Sequence, residues 1–388
     1  MDIKSARNIA DLQAVSKKKL PNPMYHFIEG GADDELSLRR NMSAFDDYSL
    51  TPNHLTDVSK IDTKTTILGH ETSMPLILSP TGTSRLFHHE KEIAVAKAGA
   101  KFGIPYALSA MATTSIEEIS EHSDGHKIFQ IYIMRDRSLT ADFVERSKAA
   151  GYKSLCLTVD TPMAGNRERD LITGMSIPPN FSLATLMEFA LHPRWLMNFA
   201  LHPKFELSNI IHKVDLLSEA GNMGVIKYVN QQFDRSITWD DAEWLSKQWD
   251  GPFIIKGLMS AADAKKARDI GATAIMVSNH GGRQLDSAPA PIDCIKSIRD
   301  TIGNDLELIV DGGVRRGNHI LKAIAAGANA CSIGRAYLYG LSAGGQAGVE
   351  KCLSIFQTEL ERSMTLLGAQ TIKDIQPEHL SKLNAPNV

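Results

Sequence analysis

Ala274-Ile275-Met276-Val277, four apolar residues of strand type, run directly into Ser278-Asn279-His280-Gly281-Gly282-Arg283-Gln284-Leu285-Asp286. A short apolar run that ends in polar and glycine residues has the pattern of a buried parallel strand delivering functional groups at its C-terminal end. His280 carries the side chain whose proton affinity lies nearest neutrality, and Arg283 offers a planar fork for a carboxylate. An acid substrate can be held by one and deprotonated by the other. A lone His-Gly-Gly is as well read as a structural turn around a satisfied histidine, so the reading depends on what surrounds it.

The same pattern recurs on both sides. Apolar runs at Pro75 to Ser79, Tyr106 to Ser109, Ile128 to Ile133, Ser154 to Val159 and Phe253 to Ile255 precede it, and Leu306 to Val310 and Ala330 to Ile333 follow. Together they make about eight, the number that closes a parallel β/α barrel. Helical spacing fills the gaps at Glu92 to Phe102, Ala141 to Ala150, Ala261 to Ile270 and His319 to Ala326, with Gly103, Gly151, Gly271 and Gly327 at the C-terminal cap positions. The expected fold class is α/β: a (β/α)8 TIM barrel with an N-terminal helical extension, one domain over residues 1–388, and an insertion after strand 4.

Barrel sites are assembled at the C-terminal rim. There the chain places Thr81 and Gly82, Ser109, Gln130 and Tyr132, Thr158 and Asp160, Lys256, Ser278 and His280, Asp311 with Gly312 and Gly313, and Gly334 with Arg335. Ser109 or Thr158 alone is better read as a cap or turn former; the convergence of the rims points to a site. Asp311-Gly312-Gly313-Val314-Arg315 and Ile333-Gly334-Arg335 match the phosphate site that barrels build after strands 7 and 8. A phosphorylated cofactor or substrate follows.

Composition narrows the partners. With 42 basic against 45 acidic residues and a formal charge of −3, no global positive field exists to collect nucleic acid. Cys156, Cys294, Cys331 and Cys352 show no metal-ligand spacing and read as buried thiols of a reducing compartment, so no metal is expected. Met1 to Leu20 lacks the apolar core of a secretory signal, which places the protein in the cytoplasm, in solution or on the inner face of the cell membrane.

These residues resemble the FMN-dependent α-hydroxy-acid oxidases and dehydrogenases from about Leu20 onward. Besides Ser278 to Asp286, the resemblance rests on Gly30-Gly31-Ala32-Asp33-Asp34-Glu35, Ser79-Pro80-Thr81-Gly82, Phe129-Gln130-Ile131-Tyr132, Leu157-Thr158-Val159-Asp160-Thr161-Pro162, Lys256-Gly257 and Asp311 to Gly317, in the family's order. Gly281-Gly282-Arg283 and the long segment after Asp170 look most like the membrane-associated, quinone-linked L-lactate and (S)-mandelate dehydrogenases. The resemblance implies an (S)-2-hydroxy acid as substrate, FMN as cofactor, a quinone or oxygen as electron acceptor, and a homo-oligomer, a tetramer. It makes His280 the base, Asp160 the carboxylate that orients it, and Arg283 and Arg167 the grip on the substrate carboxylate, with Tyr132 bonding the substrate. Lys256 would sit by the N1 and O2 edge of the flavin. Thr81, Gly82, Ser109, Gln130, Thr158 and Ser278 would line the ring and ribityl chain, and Asp311, Gly313, Arg315, Gly334 and Arg335 would hold the ribityl end and phosphate.

Two positions depart from the family's pattern. Phe27 stands where a tyrosine usually touches the substrate carboxylate, and one hydrogen bond to a charged group contributes about 1.5 to 3 kcal/mol. Tyr25 is expected to face elsewhere. Gly82 replaces an alanine, and its missing methyl is expected to open space near the flavin. Together they argue for a substrate side chain larger than lactate's methyl.

The gap between Asp160 and Phe253 is far longer than an ordinary connection. In it, Phe189-Ala190-Leu191-His192-Pro193-Arg194-Trp195 is echoed by Phe199-Ala200-Leu201-His202-Pro203-Lys204-Phe205. The prolines and bases rule out a spanning helix of about twenty apolar residues. Residues 177–214 are therefore expected to lie on a membrane, the alternative being a lid or subunit contact. Two other functions compete with the oxidation: a non-redox flavin or phosphate barrel such as an isomerase, which would not need the Arg167, His280, Arg283 constellation, and a catalytically impaired, membrane-docked flavoprotein.

Overall fold

The computed structural model describes residues 2–175, 182–210, 228 and 231–383. Eight parallel strands close into a barrel in chain order: β1 (Leu76–Leu78), β2 (Tyr106–Ser109), β3 (Lys127–Ile131), β4 (Ser154–Thr158), β5 (Phe253–Leu258), β6 (Ala274–Ser278), β7 (Glu307–Asp311) and β8 (Ala330–Ile333). Cys331 pairs with Leu76 where the ends meet. The strands read as unbroken apolar runs because both faces are covered. Ile77, Ala107, Ile128, Cys156, Ile254, Met276 and Ile309 form one apolar cluster, which Ile67 and Leu68 of a short hairpin join. A larger cluster packs the opposite strand faces against the surrounding helices. All four cysteines are free and buried.

β5 runs past its expected end at Ile255, and its register slips between Lys256 and Leu258. Gly257 takes φ +108° at that slip, and a Cβ there would lie 2.7 Å from the Asp160 Cβ. Glycine lets β5 press against the loop that carries Asp160.

The N-terminal extension consists of α1 (Ile9–Lys19), α2 (Asn22–Glu29) and α3 (Leu36–Ser43). Asn8 caps α1 by accepting the Asp11 N–H at 2.9 Å. The Asp286 carboxylate accepts the backbone N–H groups of Leu36 and Ser37 at 3.1 and 2.8 Å, where a negative charge suits a helix N-terminus. Asn41 and Asn279 exchange amide hydrogen bonds, both 2.7 Å long. A side chain at Gly313 would run into the Asn41 carbonyl, so this glycine admits α3 to the rim.

In the insertion, α4 (Glu168–Ile172) is followed by α5 (Leu183–Leu191) and α6 (Pro193–Leu201). Expectations for residues 177–181 and 211–214 lie outside the described residues. One side of this helix pair is fastened to the barrel. The Arg85 guanidinium, on a side chain 1% exposed, donates to the carbonyls of Pro203 at 2.7 Å and Phe199 at 3.0 Å. Trp195 donates its indole N–H to the Leu86 carbonyl at 2.9 Å and stacks between Phe189 and Phe199. Leu183, Leu186, Met187 and Leu191 of α5, and Leu196, Met197 and Leu201 of α6, are exposed. Among the described residues no helix is long and apolar enough to cross a membrane.

Candidate active site

His280 sits two residues past β6 with φ +57°, a left-handed conformation that costs a non-glycine residue about 1 to 2 kcal/mol. Its backbone N–H donates to Ser278 Oγ at 3.0 Å. The turn brings the imidazole Nδ1 to 2.8 Å from Asp160 Oδ1, just past β4. Burial opposes charge on Asp160, yet His280 and Lys256 together hold its carboxyl below the usual range. An ionised Asp160 fixes the proton of His280 on Nδ1 and leaves Nε2 to act as a base. Tyr132 lies just past β3, its ring edge-on to Phe233 at 5.2 Å. Burial and the nearby Asp160 push its phenol up to about 12, so it stays a hydrogen-bond donor at neutral pH.

Across the mouth, two cations stand over the Phe27 ring. The guanidinium carbons of Arg167 and Arg283 each stand 5.5 Å from its ring centroid. This is cation–π geometry, and it gives the phenyl ring a role that a hydrogen bond cannot fill. Arg283 donates Nη1 to the carbonyls of Phe27 at 3.0 Å and Gly30 at 2.9 Å. Burial, with Arg167 and Arg335 close by, pulls its proton affinity well down. A guanidinium keeps its charge even so, and an anion bound here relieves the repulsion. Tyr25 faces elsewhere, accepting from Gln13 at 3.2 Å.

Lys256 ends the straight part of β5, 3% exposed. Its ammonium lies 2.9 Å from Asp311 and donates to Ser278 Oγ at 3.0 Å, while Ser278 and Ser79 donate to the two Asp311 oxygens at 2.8 and 2.9 Å. The lysine that sequence places at a flavin edge and the aspartate that it places at the ribityl end are thus one buried ion pair. Ser109 donates to Gln130 Oε1 at 3.0 Å, and Thr81 bonds the Tyr337 hydroxyl at 2.6 Å. Gln130 Nε2 and Thr158 Oγ1 are buried without a partner. Unpaired buried polar groups are costly, and these two fit a polar heterocycle such as flavin.

One expectation needs correction. A methyl at Gly82 would meet the Met111 carbonyl oxygen at 2.9 Å and Met111 Cβ at 3.0 Å, so the glycine allows close packing on Met111 where open space was expected. Arg335 also donates to the carbonyls of Ile28, Gly281 and Gly30 at 2.9, 2.8 and 2.8 Å, tying α2 to the His280 turn. Arg315 donates to the Val314 carbonyl and stands 5.9 Å from the Tyr339 ring centroid. Asp170 was missed. It sits in the charged run Arg167-Glu168-Arg169-Asp170, which reads as a solvated turn, yet it is only 4% exposed.

Residues 16–382 match the family model described as FMN-dependent dehydrogenase. The chain belongs to this family. It is 39% identical over 382 residues to an L-lactate oxidase of Nostoc sp., covering 97% of this chain and 99% of that protein. It is 37% identical over 375 residues to an L-lactate dehydrogenase of Vibrio parahaemolyticus, covering 96% and 98%. The crystal structure of a monotopic membrane protein, (S)-mandelate dehydrogenase, matches with a TM-score of 0.93 at 34% identity, over 97% of this chain and all of that one. The protein is accordingly an FMN enzyme of 2-hydroxy-acid oxidation, near the L-lactate and (S)-mandelate dehydrogenases.

Proposed function

We propose that the protein oxidises an (S)-2-hydroxy acid, L-lactate or an analogue with a larger side chain, to the 2-oxo acid, and passes the electrons to a quinone or oxygen while resting on a membrane. The observation that carries this reading is the Asp160–His280 pair beside two guanidiniums on Phe27. His280 Nε2 takes a proton from the substrate, Arg167 and Arg283 hold its carboxylate, and Tyr132 donates to one of its oxygens. Thr81, Gly82, Ser109, Gln130, Thr158 and Ser278 line the flavin ring and ribityl chain, with Lys256 at the ring edge and Asp311, Gly313, Arg315, Gly334 and Arg335 toward the phosphate. FMN, when bound, accepts the two electrons that leave the substrate. Anaerobic bleaching of flavin absorbance across lactate, glycolate, mandelate and longer hydroxy acids is the test; no bleaching with any of them would overturn the reading. Reoxidation of the bleached enzyme by a soluble quinone and by oxygen, timed separately, identifies the acceptor.

Phe27 supports the larger substrate. Each buried methylene contributes about 0.8 kcal/mol, so kcat/KM is expected to rise from lactate to longer or aromatic acids. Phe27→Tyr adds a donor toward the carboxylate and a hydroxyl that an apolar side chain cannot satisfy. It should shift preference toward lactate by roughly tenfold, about 1.4 kcal/mol. Wild-type preference for lactate, unchanged by the added hydroxyl, would remove Phe27 from specificity.

The exposed leucines and methionines of α5 and α6, with exposed Arg194 and Lys204 beside them, support the membrane surface. Each large apolar side chain that enters the bilayer contributes about 1.5 to 3 kcal/mol, and each base near anionic lipid about 1 kcal/mol. Replacing Leu186 and Leu191 together by aspartate should lower partition into anionic lipid vesicles at least about tenfold and leave flavin reduction intact. Equal sedimentation of both forms with vesicles would point to a lid or subunit contact instead.

A further inference from the structure

Asp170 is a buried carboxylate with no hydrogen-bond partner on either oxygen. Unpaired polar groups of this kind are rare, and a buried carboxylate is normally paired or bonded. Its nearest cation is Arg167, whose Nε lies 3.4 Å from Oδ2, an ion pair without hydrogen-bond geometry. That same guanidinium stands over Phe27, as does Arg283. Asp170 therefore shares Arg167 with the substrate carboxylate that is proposed to bind there. The charged groups acting on it are Arg167 from its own turn and Arg283 from the turn after β6. From α2, which packs against α4, Glu29 acts on Arg283, and His26 faces Arg169.

We infer that Asp170 is a proton-linked counter-ion of the substrate site: it pairs with Arg167 when no acid is bound and takes up a solvent proton when a hydroxy-acid carboxylate settles on Arg167 and Arg283. Two carboxylates that share the Arg167 guanidinium raise each other's proton affinity, because like charges at close range disfavour the ionised form. Asp170 is the one that yields, since its oxygens are buried and no N–H or O–H donor holds its charge. Burial already raises its carboxyl above the ordinary value against the pull of both arginines, and a second anion raises it further. The proton returns to solvent when the 2-oxo acid leaves. Asp170 is a positioning residue here, acting through Arg167, and it sets how acid capture depends on pH. The direction follows from linkage: a proton taken up on binding weakens binding as pH rises, by up to about tenfold per pH unit between the free and bound proton affinities of Asp170.

This inference rests on the hydroxy-acid reading, and its test separates the two. The probe is 2-hydroxy-2-methylpropanoate, a hydroxy acid without the hydrogen on its second carbon that oxidation must remove. Binding to the FMN holoenzyme is followed by the flavin spectrum across pH, and proton uptake by calorimetry in two buffers of different ionisation enthalpy. Wild type should take up more protons than Asp170→Asn, and its affinity should fall with pH over a range in which the variant's affinity is flatter and higher. The Asp160–His280 pair is common to both proteins, so the difference between them reports Asp170. Equal proton uptake by the two forms overturns the inference, and so does loss of probe binding in Asp170→Asn, which would make the charge itself the support of Arg167. Anaerobic bleaching of each protein by its oxidisable acid reports the hydroxy-acid reading independently.

Discussion

His280→Ala is expected to slow anaerobic flavin reduction by the hydroxy acid at least about a thousandfold while the protein stays yellow and folded, within the range for a positioned general base. Asp160 occupies Nδ1, so Nε2 is the nitrogen that meets substrate. Alanine loses the base and also inherits a backbone at φ +57°. His280→Asn is the better companion, because asparagine tolerates the left-handed region while offering no base. Single-turnover reduction of the two variants measures the effect. Rates within tenfold of wild type in both would take His280 out of the reaction.

Asp311→Asn is expected to destabilise the fold by about 3 to 5 kcal/mol, because it leaves the Lys256 ammonium charged and buried without its partner. Removing both charges should cost far less than removing one, so Asp311→Asn with Lys256→Met should recover most of the loss. Denaturant midpoints must be compared at one FMN concentration, since a ligand that binds only the folded state adds to stability. Burial alone would raise the Asp311 carboxyl, but Lys256, Ser278 and Ser79 hold it below its ordinary value. Its folded proton affinity is therefore depressed: the contribution is present above the unfolded value, about 3.9, and is lost as pH falls through the lower folded value. A double variant no more stable than Asp311→Asn would mean that the pair contributes little.

The barrel was legible because its strands are apolar on both faces and end in polar rims, a pattern that needs no knowledge of distant contacts. His280 and Asp160 were found for the same reason, each lying just past a strand. What stayed hidden depends on parts of the chain far apart. Arg335 follows a glycine after β8, as a phosphate-binding residue would, but its bonds to Ile28 and Gly30 depend on α2, whose path over the rim no local pattern records. Gly82 read as added space because the approach of Met111 belongs to the next loop. Asp170 resembles its charged neighbours in sequence, and only the packed turn separates it from water. Arg85 gives no local sign that it will fasten α6.

The clamp over the rim also bears on how the protein is made. Arg335 reaches Ile28 across 307 positions of chain, Ser37 reaches Asp286 across 249, and Asn41 reaches Asn279 across 238. On the ribosome, domains fold as units as the chain emerges, and contacts of such long sequence separation close late. A nascent chain that has exposed His280, Asp160 and Arg283 can already bond Arg283 to the Phe27 and Gly30 carbonyls, but it lacks the bonds from Arg335 to Ile28 and Gly30. The last of the ties from α2 to the rim therefore forms only after the start of the helix that follows β8 has left the exit tunnel.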